Sequence, residues 1–78
     1  MILNLKYFGI IAETIAKHEE SIDFAGESIE ELDAALKKNY FKLEVMNYTY
    51  AVNQELVGMD MELKENDKVA VLPPFSGG

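Results

Sequence analysis

The feature that most constrains this 78-residue chain is the pair Pro73-Pro74, followed by Phe75-Ser76-Gly77-Gly78. Two consecutive prolines remove two backbone donors and fix φ near the polyproline value, so a strand running into Pro73 cannot extend its hydrogen-bond ladder beyond it. The folded body is therefore expected to be residues 1–72, with residues 73–78 leaving it as an extended tail. Phe75 has no regular element of its own, and Gly77 and Gly78 offer no side chain to pack. A segment of this composition suits insertion into another molecule.

Seventy-eight residues make one domain, near the lower limit for a single apolar core without disulfides or metals. The hydrophobic fraction of 49% lies well above the disordered range. There is no cysteine, which excludes disulfides, thiolate metal sites and cysteine nucleophiles. Seven lysines and no arginine stand against fourteen acidic residues, for a net charge of −7. Nucleic-acid binding needs a basic stripe and leans on arginine, so it is not expected. The acidity suits basic protein partners. No apolar run reaches the roughly 20 residues of a membrane span, and the amino end has no basic segment followed by an apolar one, so a cytoplasmic protein is expected.

Hydrophobic periodicity then orders the chain. Met1 to Phe8 alternates as a strand, with Leu3, Leu5 and Tyr7 on one face; apolar Ile2 and Phe8 on the other suggest a central strand covered on both sides. Gly9 ends it. Ile10 to His18 takes helical spacing, and Glu20 to Phe24 alternates again with Ile22 and Phe24 inward. Ser28 and Glu31 form a capping box that opens a helix with the apolar stripe Ile29, Leu32, Ala35 and Leu36. Its outer face is read as Glu30, Asp33, Lys37 and Lys38, and Asn39-Tyr40 ends it. Phe41 to Asn47 is a connection. Tyr48 to Val52 and Glu55 to Val57 make a hairpin through Asn53-Gln54. Gly58 to Asn66 is a loop anchored by Leu63, and Lys68 to Leu72 is a last strand, also expected to be covered on both faces.

This order predicts an α+β fold: a mixed sheet crossed by one main amphipathic helix, with a short helix after the first strand. That is the β-grasp, or ubiquitin-like, architecture. Other candidate sites are weak. His18 sits among Lys17, Glu19 and Glu20 as a solvated helix-end residue. Asp60, Glu62, Glu65 and Asp67 lack the spacing of a calcium loop and read as a solvated turn. Tyr48 and Tyr50 read as sheet packing. No metal or cofactor is expected on this chain.

Four stretches carry a resemblance: Tyr7-Phe8-Gly9 before a helix, Ala51-Val52-Asn53-Gln54, Leu63 to Val71 as L-x-x-x-D-x-V-A-V, and Pro73 to Gly78. Together they span the chain, which resembles the MoaD-type ubiquitin-like sulfur carriers, the small subunits of molybdopterin synthase. Many relatives carry an Arg-Glu pair in the first helix where this chain has Ala12-Glu13, so Glu13 is assigned no role. Thiamine-pathway carriers typically have a shorter first hairpin and lack the Pro-Pro.

The resemblance implies that an adenylating enzyme of the ubiquitin-activating type uses ATP to activate the Gly78 carboxylate. Sulfur from a donor in trans then converts it to a thiocarboxylate. The molybdopterin synthase large subunit would accept the tail, Pro73, Pro74, Phe75, Ser76 and Gly77, with Gly78 as the reacting residue, and a cyclic pterin monophosphate would receive the sulfur. The chain would be catalytic only within that heteromer. Service to thiamine synthesis or tRNA thiolation, or conjugation to protein lysines through Gly78, stays open at this point. Ordering six residues costs about 6 to 12 kcal/mol. The prolines lower that figure by presetting φ, and a buried Phe75 ring would offset about 1.5 to 3 kcal/mol. At about 3.1 Å per residue the extended tail reaches roughly 19 Å.

Overall fold

A computed structural model of the chain describes residues 1–74. Strand β1 (Ile2–Tyr7) leads into helix α1 (Gly9–Ile15) and strand β2 (Glu19–Asp23). Helix α2 (Ile29–Asn39) and a 3-10 turn (Phe41–Val45) follow, then β3 (Thr49–Val52), β4 (Glu55–Val57) and β5 (Lys68–Leu72). The strands form one mixed sheet in the order β2-β1-β5-β3-β4. β1 and β5 run parallel, while every other pairing is antiparallel. One sheet with helices on one face is the β-grasp expected from the element order.

Period-2 alternation decides which face is buried. Leu3, Leu5 and Tyr7 of β1, Val69 and Val71 of β5, and Tyr50 and Val52 of β3 point into a single core. Against them pack Ile29, Leu32 and Leu36 from α2, with Ile11 and Ala12 from α1 and Leu43 from the 3-10 turn. The opposite face is open, contrary to the expectation that β1 and β5 are covered on both sides. Asn4 and Lys6 of β1 and Lys68 of β5 decide this, because their polar groups need water; Ile2 and Phe8 lie at the strand's ends, 41% and 43% exposed.

Local chemistry fixes the ends of the elements. The Ser28 side chain accepts from the Glu31 amide at 3.3 Å, and the Glu31 carboxylate reaches back to the Glu27 amide. The first two amides of α2, which no helix can satisfy internally, donate to the loop after β4: Ile29 to Met61 O at 3.0 Å and Glu30 to Met59 O at 2.9 Å. The loop is thereby tied to the helix start, with Leu63 buried beneath it. Helix α1 is shorter than its periodicity predicts, because Ala16 adopts a left-handed conformation (φ 60°) and terminates it. Asn53 and Gln54 both take positive φ, 49° and 73°, as a two-residue type I′ hairpin requires. Asn53 also accepts from the Lys68 amide and donates to Asp67, fastening the hairpin to the start of β5.

Asp33 is buried, not on the solvent face of α2. Its Oδ1 accepts the hydroxyls of Tyr48 and Tyr50, each at 2.7 Å, and its Oδ2 takes Lys37 Nζ at 3.1 Å. Glu20 repeats the arrangement at the other end of the sheet. Its Oε2 accepts the hydroxyls of Tyr7 at 2.5 Å and Tyr40 at 2.7 Å, and its Oε1 takes Lys17 Nζ at 3.1 Å. All four tyrosines of the chain are thus spent in two clamps. Burial by itself raises both carboxyl pKa values, but the tyrosine hydroxyls and the lysine outweigh it, so both end below their ordinary values. Burial and then the carboxylates push the four phenols up, keeping them donors.

Two stability predictions follow from the clamps. Asp33→Ala leaves the buried Tyr50 hydroxyl without an acceptor and is expected to destabilise by about 2 kcal/mol. In a domain of this size that lowers the melting temperature by roughly 8 to 16 °C. For pH the sign runs with the carboxylates. Their contribution is full above the ordinary values, 3.8 for Asp33 and 4.5 for Glu20, and is lost as pH falls through the lower folded values. Denaturant midpoints measured down the acid range should therefore drop below about pH 4.5, and less steeply in Asp33→Asn and Glu20→Gln.

Candidate functional site: the root of the tail and the open sheet face

The end of β5 is where the chain leaves the sheet. Ladder bonds continue to the last possible position, with Phe8 N donating to Val71 O at 3.2 Å. Pro73 has no amide hydrogen to donate, so pairing stops there. Pro73 is half-buried and Pro74 exposed. Phe75, Ser76, Gly77 and Gly78 lie outside the described residues.

Pro73 rests on Gly9, the residue between β1 and α1. Gly9 has φ +55°, and a Cβ there would stand 3.0 Å from Pro73 Cγ. The parallel pairing of β1 with β5 brings these two positions together, since Tyr7 lies beside Val71 and the chains run in the same direction. Phe8 and Leu72, the next positions, share the open face beside the exit.

Cross-strand register builds the rest of that face. One row runs Leu56, Ala51, Ala70, Lys6 and Glu19; a second runs Lys68, Asn4 and Ser21, where Ser21 Oγ lies 2.9 Å from Asn4 Oδ1. Small Ala70 at the middle of the sheet lies in a groove of about 610 Å³ lined also by Asn4, Lys6, Phe8, Ser21 and Lys68. Leu56 is 62% exposed at one side of the face. Lys6 and Lys68 set two cations on this face of a chain with net charge −7, with Glu19 opposite Lys6. The face pairs exposed apolar groups near the exit with two cations further along, an arrangement able to receive a protein surface of complementary charge.

The other sequence candidates are placed elsewhere. His18 is exposed and enters the fold through its carbonyl, which accepts from the Tyr7 amide at 2.8 Å. Asp67 accepts from the Lys64 amide and from Asn53, and Glu65 accepts from the Ile2 amide through both oxygens. These carboxylates brace turns, and among the described residues no group of three or more His, Asp or Glu side chains could hold a metal. Tyr48 and Tyr50 do pack in and beside the sheet, edge to face at 5.7 Å, and in addition hold Asp33. The open face was legible in the polar alternation Asn4, Lys6, and was masked by Ile2 and Phe8 at the strand's ends. Gly9 was read only as the end of the first strand, because the contact it makes with residue 73 leaves no local signal.

The same fold is found in known proteins. The molybdopterin synthase sulfur carrier subunit of Caenorhabditis elegans is 35% identical over 81 residues, covering 97% of this chain and 96% of that protein. Among solved structures, a molybdopterin converting factor subunit 1 from Pyrococcus furiosus superposes with a TM-score of 0.89 at 28% identity, covering 96% of this chain and 99% of the other. A chain in the complex of subunits 1 and 2 of molybdopterin-converting factor from Helicobacter pylori superposes with a TM-score of 0.72 at 26% identity, over the whole of both chains. The family model described as ThiS family matches residues 5–78, so by fold, length and sequence the chain belongs to the ThiS family.

Proposed function

We propose that this chain is the sulfur-carrier small subunit of a molybdopterin synthase and that it carries sulfur as a thiocarboxylate on Gly78. The observation that carries the reading is the family match, which extends from residue 5 through Gly78 and so includes the tail as well as the body. The near full-length similarity to a relative bearing that name supports the molybdopterin pathway.

The chemistry follows from the poor reactivity of a carboxylate. The Gly78 carboxylate attacks the α-phosphorus of ATP on an adenylating enzyme, pyrophosphate leaves, and an acyl-adenylate forms. A persulfide on a donor protein attacks the acyl carbon and AMP leaves. A thiol then attacks the donor's sulfur in this acyl disulfide, breaking the sulfur–sulfur bond: thiol and donor end joined as a disulfide, the thiol supplies the two electrons, and the thiocarboxylate leaves on Gly78. The chain has no cysteine, so both persulfide and thiol come from outside it. On the large subunit the thiocarboxylate sulfur attacks a carbon of the cyclic pterin monophosphate and displaces an oxygen substituent from it, so that a thioester joins carrier and pterin. Water releases the acyl group and restores the carboxylate for another cycle.

Each part of the chain has a task in this scheme. Glycine at 77 and 78 leaves the acyl carbon unshielded and admits the backbone to a channel too narrow for a Cβ. Phe75 would anchor in the partner, with Pro73 and Pro74 lowering the entropy lost on docking. The open face, with Phe8 and Leu72 beside the exit, is the surface on which a partner would close while the tail is inserted.

Incubation with the activating enzyme, ATP and a persulfide donor is expected to raise the intact mass by the difference between sulfur and oxygen, localised to Gly78 by fragmentation. Deleting Gly78 should abolish the gain without moving the melting temperature. Stable lysine adducts in place of the sulfur exchange would replace this reading with that of a protein modifier.

A further inference from the structure

We infer that Gly9 is a positioning residue for the tail: its bare Cα is the seat of the Pro73 ring and sets the direction in which the chain leaves the sheet. An ideal Cβ at Gly9 would meet three atoms of that ring, Cγ at 3.0 Å, Cδ at 3.7 Å and Cβ at 3.9 Å, so the ring lies across the position a side chain would fill. Neither side of this contact can easily withdraw. Gly9 is held from behind by α1, where Ile11 N and Ala12 N bond the Phe8 carbonyl at 3.1 and 3.4 Å and where Ile11 and Ala12 are buried in the core. It is held from before by β1, whose end is bonded to β5 through Phe8 N and Val71 O. On the other side, Val71 is fully buried and Leu72 is still paired with Thr49, so β5 is fixed up to the residue before the ring.

The joint that can give is therefore between Leu72 and Pro73. A side chain at position 9 must push the ring outward by some tenths of an ångström, and a change of angle there is magnified along any extended continuation, which advances about 3.1 Å per residue. Delivery by a tail requires body and tip to fit one partner at once, so a wrong angle at the root is felt at the reacting end. Glycine serves Gly9 twice, by tolerating φ +55° and by leaving room for Pro73. Its value to delivery rests on the sulfur-carrier reading; the exit direction at Pro73 does not.

Asparagine tolerates positive φ but has a Cβ, so Gly9→Asn retains the contact while easing the backbone, and Gly9→Ala supplies both burdens. The first measurement is of residual dipolar couplings at the Cα–Hα bonds of Pro73 and Pro74 in the isolated chain. Both variants are expected to change them while those of β1 and β5 stay as in the parent; unchanged couplings in a folded variant would overturn the inference. The second is kcat/KM for thiocarboxylate formation with the activating enzyme. Gly9→Asn should lower it about tenfold, less than the roughly hundredfold that a 1 Å misplacement brings. In a Pro73→Ala background, which lacks the ring, the same substitution should act within about twofold. An equal loss in both backgrounds would mean that Gly9 matters for stability alone and would overturn the role. Couplings that shift in the variants, with a parent protein that accepts no sulfur, would sink the carrier reading and leave the exit direction standing.

Discussion

The parallel pairing of β1 with β5 is the constraint on which the rest depends. It joins the two ends of the chain at the middle of the sheet, with Asn4 beside Lys68 and Tyr7 beside Val71. Parallel neighbours cannot be linked by a tight turn, so everything between them must cross over and return. Helix α2 makes that crossing over the buried face, where Ile29, Leu32 and Leu36 close the core. The same pairing sets the end of β1 next to the end of β5, which brings Gly9 under Pro73.

A domain of 78 residues has little apolar area in reserve, and polar contacts hold its periphery. Glu20 on edge strand β2 joins Tyr7 of β1 to Tyr40 at the end of α2. Asp33 within α2 joins Tyr48 and Tyr50 around β3. Each carboxylate thus ties the helix layer to the sheet, one on either side of the core, and each is neutralised by a lysine three or four residues away. The loop after β4 adds a third tie through the amides of Ile29 and Glu30.

What could be read from the sequence was what local chemistry decides. Ser28 and Glu31 mark the start of α2, Asn53-Gln54 marks the hairpin, and Val69 with Val71 before Pro73 marks the last strand; all three stand where local rules put them. Asp33 was misplaced because its charge was weighed above its position: three residues before Leu36 it shares that leucine's face of the helix. Only the approach of two tyrosines from β3 makes its burial tolerable. The open face was mistaken for a covered one because strand-end Ile2 and Phe8 imitate two-sided burial, although Asn4 and Lys6 between them do not. Gly9 was read as a strand stop, and its contact with Pro73 depends on a pairing across more than sixty residues that no local pattern encodes.

The position of β5 also has a mechanical meaning. A pull on the chain at Pro74 would act along β5, which is bonded on one side to β1 and on the other to β3. Loaded lengthwise, those ladder bonds strain together in shear; they do not open one after another as they would if an edge strand were peeled from its end. A strand carried at the sheet's centre can therefore bear a pull at its carboxyl end that an edge strand would yield to.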